Sequence, residues 1–245
     1  MKKLIILTTA LLLTLTANSQ TFDKTEQLNG VSLKSSKENA VRDYMGYTER
    51  FLPHPISIVK NSITNFTEKC NNTYIDQREY SPRDTYCKYH NENLIESFIV
   101  KDIKPNSELI GVSEFYLVGR KVYNRGHAGF YELITIREGV NKGKQKTIII
   151  SLKMLDDSEV RSFTNPKFEK SSAFDSSVSV YTLTQLSPQR TNLRFKFIAN
   201  TDHWLLNKEV AAPQVFASIS KSMNETMETI EAGSEFQKRE LASKD

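Results

Sequence analysis

In the second half of the chain, apolar and polar positions alternate along five successive segments. They are "SEFYLVGRKVYN", "AGFYELITIRE", "KQKTIIISLKML", "SSVSVYTLTQL" and "TNLRFKFIAN". A period of two, with Tyr, Val, Ile, Phe and Thr enriched, predicts strands. The connectors "NRGH", "GVNKGK" and "SPQRTN" carry turn residues and are too short for a crossover helix. Neighbouring strands are therefore expected to run antiparallel. The one long connection, "DDSEVRSFTNPKFEKSSAFDS", has room for a sixth strand over residues 160–163.

The first half shows a longer period. Ser35 and Glu38 match the S-x-x-E capping box. Val41, Tyr44, Met45, Thr48, Phe51 and Leu52 then share one face of a helix over residues 35–52. Pro53 and Pro55 end that helix and open another. Ile56, Val59, Ile63, Phe66 and Cys70 repeat at 3-4-3-4 spacing, and the two segments read as a helical hairpin. The lead-in, residues 20–34, has a short strand at "GVSL". "NENLIESFIVKDI", in the 91–104 stretch, fits either period. Leu94, Ile95, Phe98 and Ile99 favour a helix, which is the reading adopted; the β-branched pair Ile99-Val100 favours a strand.

After the last strand segment, Phe216, Ile219, Met223, Met227 and Ile230 step by 3, 4, 4 and 3. A helix with one apolar stripe must bury it, and the sheet is the available partner. The expected fold class is α+β: an N-terminal helical hairpin, a five- to six-stranded antiparallel sheet, and a long C-terminal helix packed on the sheet. Residues 20–232 form a single domain in this reading. The charged tail "GSEFQKRELASKD", residues 233–245, is expected to fray.

The layout resembles the START-like, or helix-grip, superfamily of lipid and hydrophobic-ligand binding domains. The local likeness lies in "NLRFKF" followed by "HWLLNKEV", with Trp204, Leu205, Leu206 and Asn207 at the approach to the last helix. The segment over residues 35–103 is longer than the helical insert of small family members, and the loop between the two cysteines is foreign to them. The resemblance implies a cavity between sheet and helix for a sterol, phospholipid, polyketide or similar molecule. The candidate lining from the strands is Phe115, Leu117, Tyr131, Leu133, Ile149, Tyr181, Leu183, Phe195 and Phe197. The helix adds Phe216, Ile219 and Met223. The same alternation also fits a solid core, and a one-residue slip reverses every side chain. The superfamily has no universal catalytic residues, so none is carried over, and no cofactor is implied.

Composition adds a compartment. "MKKLIILTTALLLTLTANSQ" has a basic start, an apolar run over residues 4–15 and small residues at Ala17 and Ser19. It reads as a cleavable signal peptide, residues 1–19, for a secreted or periplasmic protein. About twelve apolar residues are too few to span a ~30 Å hydrocarbon core. Cleavage leaves roughly 226 residues, the size of one large domain. No later segment is long and apolar enough to span a membrane, so no stable membrane insertion is expected after cleavage. The formal charge of +4 includes Lys2 and Lys3; the balance without them is near neutral and argues against nucleic acid as a partner. In an exported chain Cys70 and Cys87 read as a disulfide.

Catalytic chemistry is sparse. His54, His90, His127 and His203 show no metal-ligand spacing. Nucleophile-elbow and phosphate-loop motifs are missing. "RGHAG" places His127 near Arg125 and Glu132, the one constellation compatible with a secreted hydrolase. The leading expectation is an exported binding protein for a hydrophobic small molecule or lipid. The alternatives are an envelope interaction module with a filled core, and that hydrolase.

Overall fold

The computed structural model describes residues 22–69, 94–100, 103, 109–123, 127–172 and 174–242. Among them nine strands form one antiparallel sheet. They are β1 (Lys24–Leu28), β2 (Val31–Glu38), β3 (Val41–Leu52), β4 (Leu94–Ile99), β5 (Glu114–Tyr123), β6 (His127–Val140), β7 (Lys146–Leu155), β8 (Ser176–Ser187) and β9 (Arg190–Thr201). Three α-helices accompany them: α1 (Ile56–Lys69), α2 (Asp157–Phe163) and α3 (Ala212–Ala242). The strand order is β1-β2-β3-β9-β8-β7-β6-β5-β4. Two meanders are thus joined where β9 returns beside β3, with Tyr44 opposite Ala199 and Thr48 opposite Phe195.

The five alternating segments form β5 to β9, and the proline-initiated pattern forms α1. Four expectations need correction. Residues 35–52 are strands, not the first arm of a helical hairpin. Arg42, Tyr44, Gly46 and Thr48 are buried on one side, while Val41, Tyr47, Glu49 and Phe51 are exposed on the other. The 3-4 spacing of the apolar residues was compatible with both periods. The deciding signals are turns: Asn29, Gly30 and Asn39 hold left-handed φ of 49°, 78° and 54°, as two-residue hairpin turns require. Ser35 caps nothing; its Oγ donates to Asp23 and accepts from Arg42.

The 91–104 stretch contains β4, a strand instead of a helix, paired with β5. Residues 160–163 belong to α2, not to a sixth strand, because Asp156 and Glu159 form a capping box. The expected frayed tail is helical to Ala242. Ser234 is fully buried there and lies 3.0 Å from Ser62 Oγ of α1. The sheet accordingly has nine strands where five or six were expected. The leader, residues 1–19, and both Cys70 and Cys87 lie outside the described residues.

Helix α3 packs on β1, β2 and β3, while α1 packs on α3, β4, β8 and β9. On a flat sheet the edges β1 and β4 would be about 38 Å apart at a ~4.8 Å strand spacing. Two helices side by side are only about 20 Å wide, so the sheet curves round the pair. A large core fills the inner side, from Val31 and Leu33 of β2 to Val118 of β5, with Phe216, Ile219, Met223, Met227 and Ile230 of α3. A smaller core lies on the outer side, where α2 and the 164–175 connection cover Leu117, Tyr131, Leu133 and Leu155.

Candidate functional site

The inner face is set by register. Ile150 of β7 faces Ile136 of β6 and Tyr181 of β8; Tyr181 faces Phe195 of β9, which faces Thr48 of β3. Tyr181 and Phe195 stack at 4.5 Å between ring centroids. Val118, Ile134, Ile136, Ile148, Ile150 and Leu152 continue this apolar row toward β5, all buried. Helix α3 reaches the other end of the row. There Gly46 lets it settle onto β3: a Cβ at that position would stand 2.4 Å from Met223 Sδ and 3.1 Å from Ile219 Cγ2.

Lys60 of α1 reaches Glu114 of β5 and Glu138 of β6 at one end of these strands, while α3 packs on β1, β2 and β3. The inner side chains of β5, β6 and β7 belong to the same core as Val59 and Ile63 of α1 and the stripe of α3. Two ion pairs join neighbouring strands on this side, Glu138 of β6 with Lys146 of β7 and Arg120 with Glu132. Arg120 of β5 and Glu132 of β6 approach to 3.2 Å, Nε to Oε2, each with 14% of its side chain exposed. Register explains the meeting. Val118 is opposite Glu132 and Arg120 opposite Phe130, so the charged residues are diagonal neighbours on one face. The contact is an ion pair whose angles do not make a hydrogen bond, and Glu132 Oε2 is buried with no hydrogen-bond donor. A buried acceptor in that state is costly.

Tyr181 lies in the field of this pair. Burial first, then the Glu132 carboxylate, hold its phenol well above the ordinary value, while Arg120 pulls the other way. The phenol therefore stays neutral and can donate or accept a hydrogen bond. The chemistry available is recognition: a guanidinium, a carboxylate acceptor and a phenol on an apolar wall. Among the described residues no group of His, Cys, Asp and Glu is placed to hold a metal ion. No described helix is long and apolar enough to cross a membrane.

The approach to α3 is pinned. Arg42, almost fully buried, donates to Asn207 O and to Asp23, and Tyr44 Oη donates to Leu206 O. Asn207 Nδ2 donates to Ala40 O and Asp202 O. The far end of α3 is tied to α1 by Ser62 and Ser234; His54, just before α1, is fully buried 3.3 Å from Glu235.

The expected lining divides by face. Tyr181, Leu183, Phe195, Phe216, Ile219 and Met223 belong to the inner core, and Phe197 packs against it. Leu117, Tyr131 and Leu133 are in the outer core instead. Phe115, on the same side of β5 as Leu117, is 37% exposed, and Ile149 is 39% exposed. These five residues do not line the space between sheet and α3. Strands β5 and β6 are apolar on both sides because both sides are covered, so alternation gave no parity. Arg120 was missed, since its partner is visible only once the register is known. In the hydrolase constellation Glu132 pairs with Arg120, and Arg125 lies outside the described residues.

No protein-family model matches the chain, and no curated protein matches it. Solved structures do resemble it. Human STARD10 matches with a TM-score of 0.54 at 12% identity, over 91% of this chain and 78% of that one. Human StAR-related lipid transfer protein 5 gives a TM-score of 0.47 at 14% identity, over 87% of each chain. A STAR-related lipid transfer protein from Xanthomonas axonopodis gives 0.44 at 8% identity, over 86% of this chain and 98% of that one. The likeness to the first defines the fold.

Proposed function

The chain has a START-like helix-grip fold, and we propose that it binds a hydrophobic small molecule or lipid between the inner sheet face and α3. The observation that carries this reading is the Arg120–Glu132 pair, set in an apolar wall and leaving a buried carboxylate oxygen without a donor. A purely structural core gains little from such a pair, because desolvating two charges offsets their attraction. A guest with an apolar body and a hydroxyl or amine tip supplies the missing donor to Glu132. Arg120 already faces a carboxylate, so the pair presents little net charge and favours an uncharged polar tip over an anionic one. Apolar walls with a few placed polar groups are the usual form of a small-molecule site.

Export belongs to the same proposal. It rests on the leader at residues 1–19, and it makes Cys70 and Cys87 a disulfide in the mature protein. Intact-mass measurement of the protein recovered outside the cytoplasm tests both points. Processing after Ser19 and a two-hydrogen mass deficit are expected. An unprocessed chain, or two alkylatable thiols, would refute them.

Native mass spectrometry with solvent extraction tests the binding. Purified protein is expected to carry one small molecule per chain, displaced when Arg120 and Glu132 are both made apolar. Protein that purifies empty and takes up none of a panel of fluorescent sterols, fatty alcohols and phospholipids would refute the reading.

A further inference from the structure

Strand β3 turns Tyr47, Glu49 and Phe51 to the outer side of the sheet, away from α1 and α3. Register sets Lys196, Arg194 and Asn192 of β9 opposite them, and Thr182 and Thr184 of β8 opposite Arg194 and Asn192. Alternate residues of a strand share a face, so these side chains form one patch. Glu49 is its centre. Asn192 Nδ2 donates to Glu49 Oε1 at 2.5 Å and Arg194 Nε at 3.0 Å, while Tyr47 Oη donates to Oε2 at 3.3 Å. The bond from Asn192 first, then that from Arg194, holds the Glu49 carboxyl below the ordinary carboxylate range. To reach a carboxylate two residues along its own strand, the Tyr47 ring leans along the sheet instead of standing off it. Phe51, on the far side of Glu49, is 56% exposed, with the Arg190 guanidinium 5.3 Å from its ring centre. The solvated face of an antiparallel sheet is ordinarily polar; here two aromatic rings flank a fixed polar cluster. Asn192 adds a second sign. It is only 7% exposed, and its Oδ1 is buried with no donor, a costly state for an acceptor.

We infer that this patch binds a neutral oligosaccharide or polysaccharide chain. A sugar ring combines apolar C–H faces with hydroxyls round its edge. Aromatic rings offer flat apolar surface to the faces. The carboxylate, amide and guanidinium between them suit hydroxyls, which both donate and accept. Tyr47 and Phe51 are four residues apart, about 13 Å along a strand, the reach of a short run of sugar units and not of one. A hydroxyl is also the donor that Asn192 Oδ1 lacks. Glu49 and Arg194 cancel in charge, and a carboxylate at the centre disfavours an anionic chain, although Arg190 and Lys196 stand beside it. The patch lies on the opposite side of the sheet from Arg120 and Glu132, so the inference does not depend on a guest there.

Isothermal titration calorimetry on the full chain tests it. The neutral probes are cellohexaose, laminarihexaose and N-acetylchitohexaose, and an alginate oligomer of similar length is the anionic one. Saturable binding of at least one neutral probe is expected, in preference to alginate. Tyr47→Ala and Phe51→Ala, both at exposed positions, are each expected to weaken that binding about tenfold while leaving thermal melts unchanged. The double variant Arg120→Met, Glu132→Leu is expected to bind the sugar as the parent does. Absence of binding to all three neutral probes would overturn the inference. So would binding of alginate alone, which would make the patch a site for charge. Affinity that survives Tyr47→Ala and Phe51→Ala together would place the sugar elsewhere and overturn it as well.

Discussion

Replacing one member of the Arg120–Glu132 pair tests whether the inner face holds a buried charge couple. At 3.2 Å and an effective dielectric of about 20, the attraction is about 5 kcal/mol, and removing two ions from water costs a similar amount. The two nearly cancel in the native protein. In Glu132→Leu or Arg120→Met the attraction disappears, while one desolvated charge remains. Such removals cost about 3–5 kcal/mol, and the residual solvent contact of both side chains places this pair near the lower end. A loss of about 3 kcal/mol lowers the Tm of a chain this size by roughly 6–12 °C. The double variant Arg120→Met, Glu132→Leu carries no stranded charge and is expected within about 1 kcal/mol of the parent. Urea unfolding followed by far-ultraviolet circular dichroism, on all four proteins, gives the coupling energy. Single variants that each cost under 1 kcal/mol, or a double variant equal to their sum, would refute a buried, coupled pair. The double variant is also expected to lose guests with a hydroxyl tip while keeping a purely hydrocarbon analogue.

Gly46→Ala brings a methyl against Met223 and Ile219 and is expected to cost about 1–3 kcal/mol; adding Met223→Ala, measured by thermal melts, should be less harmful than the sum of the two changes. Burial holds the His54 imidazole below its ordinary value of 6.5, against the raising pull of Glu235 and Glu231 and with the lowering push of Lys238, all three on α3. A histidine kept neutral in the fold loses stability as pH falls from 6.5, where the unfolded chain takes up a proton first. His54→Leu is expected to flatten that decline in urea titrations at stepped pH, and an unchanged slope would contradict the assignment. Tyr44→Phe removes the 2.6 Å bond to Leu206 O. It is expected to cost about 1 kcal/mol and to speed amide exchange over residues 206–208; exchange equal to the parent's would show that the clamp is not holding.

Local pattern was enough where one side of an element meets water. β7 alternates between the buried Ile148, Ile150 and Leu152 and the exposed or half-buried Ile149, Ser151 and Lys153, and it was legible. α3 keeps one stripe over its length, so its docking on the sheet was legible too. β3 was misread because Val41, Tyr44, Met45, Thr48, Phe51 and Leu52 satisfy a helical period by chance. The backbone preference of Asn29-Gly30 and Asn39 for left-handed turns outweighed it. α2 was missed because its cap begins with Asp156 and its two buried residues, Val160 and Phe163, also suit a strand. Which residues face the inner side was half legible. Tyr181, Leu183, Phe195 and the α3 stripe face inward as expected, whereas Leu117, Tyr131 and Leu133 face the outer core. The charge pair depends on cross-strand register, which no single segment encodes.

The central claim is that an apolar guest lies under the arch of β5 to β8 with its polar tip at Glu132. Photolabelling with a long-chain alcohol bearing a diazirine in its hydrocarbon tail, followed by peptide mapping, tests it most directly. The account predicts stoichiometric labelling of inner-face residues such as Val118, Ile134, Ile150 and Tyr181, competed away by unlabelled alcohol. Labels confined to the outer-face residues Leu117, Leu133 and Ile149, or scattered and not competed, would contradict it.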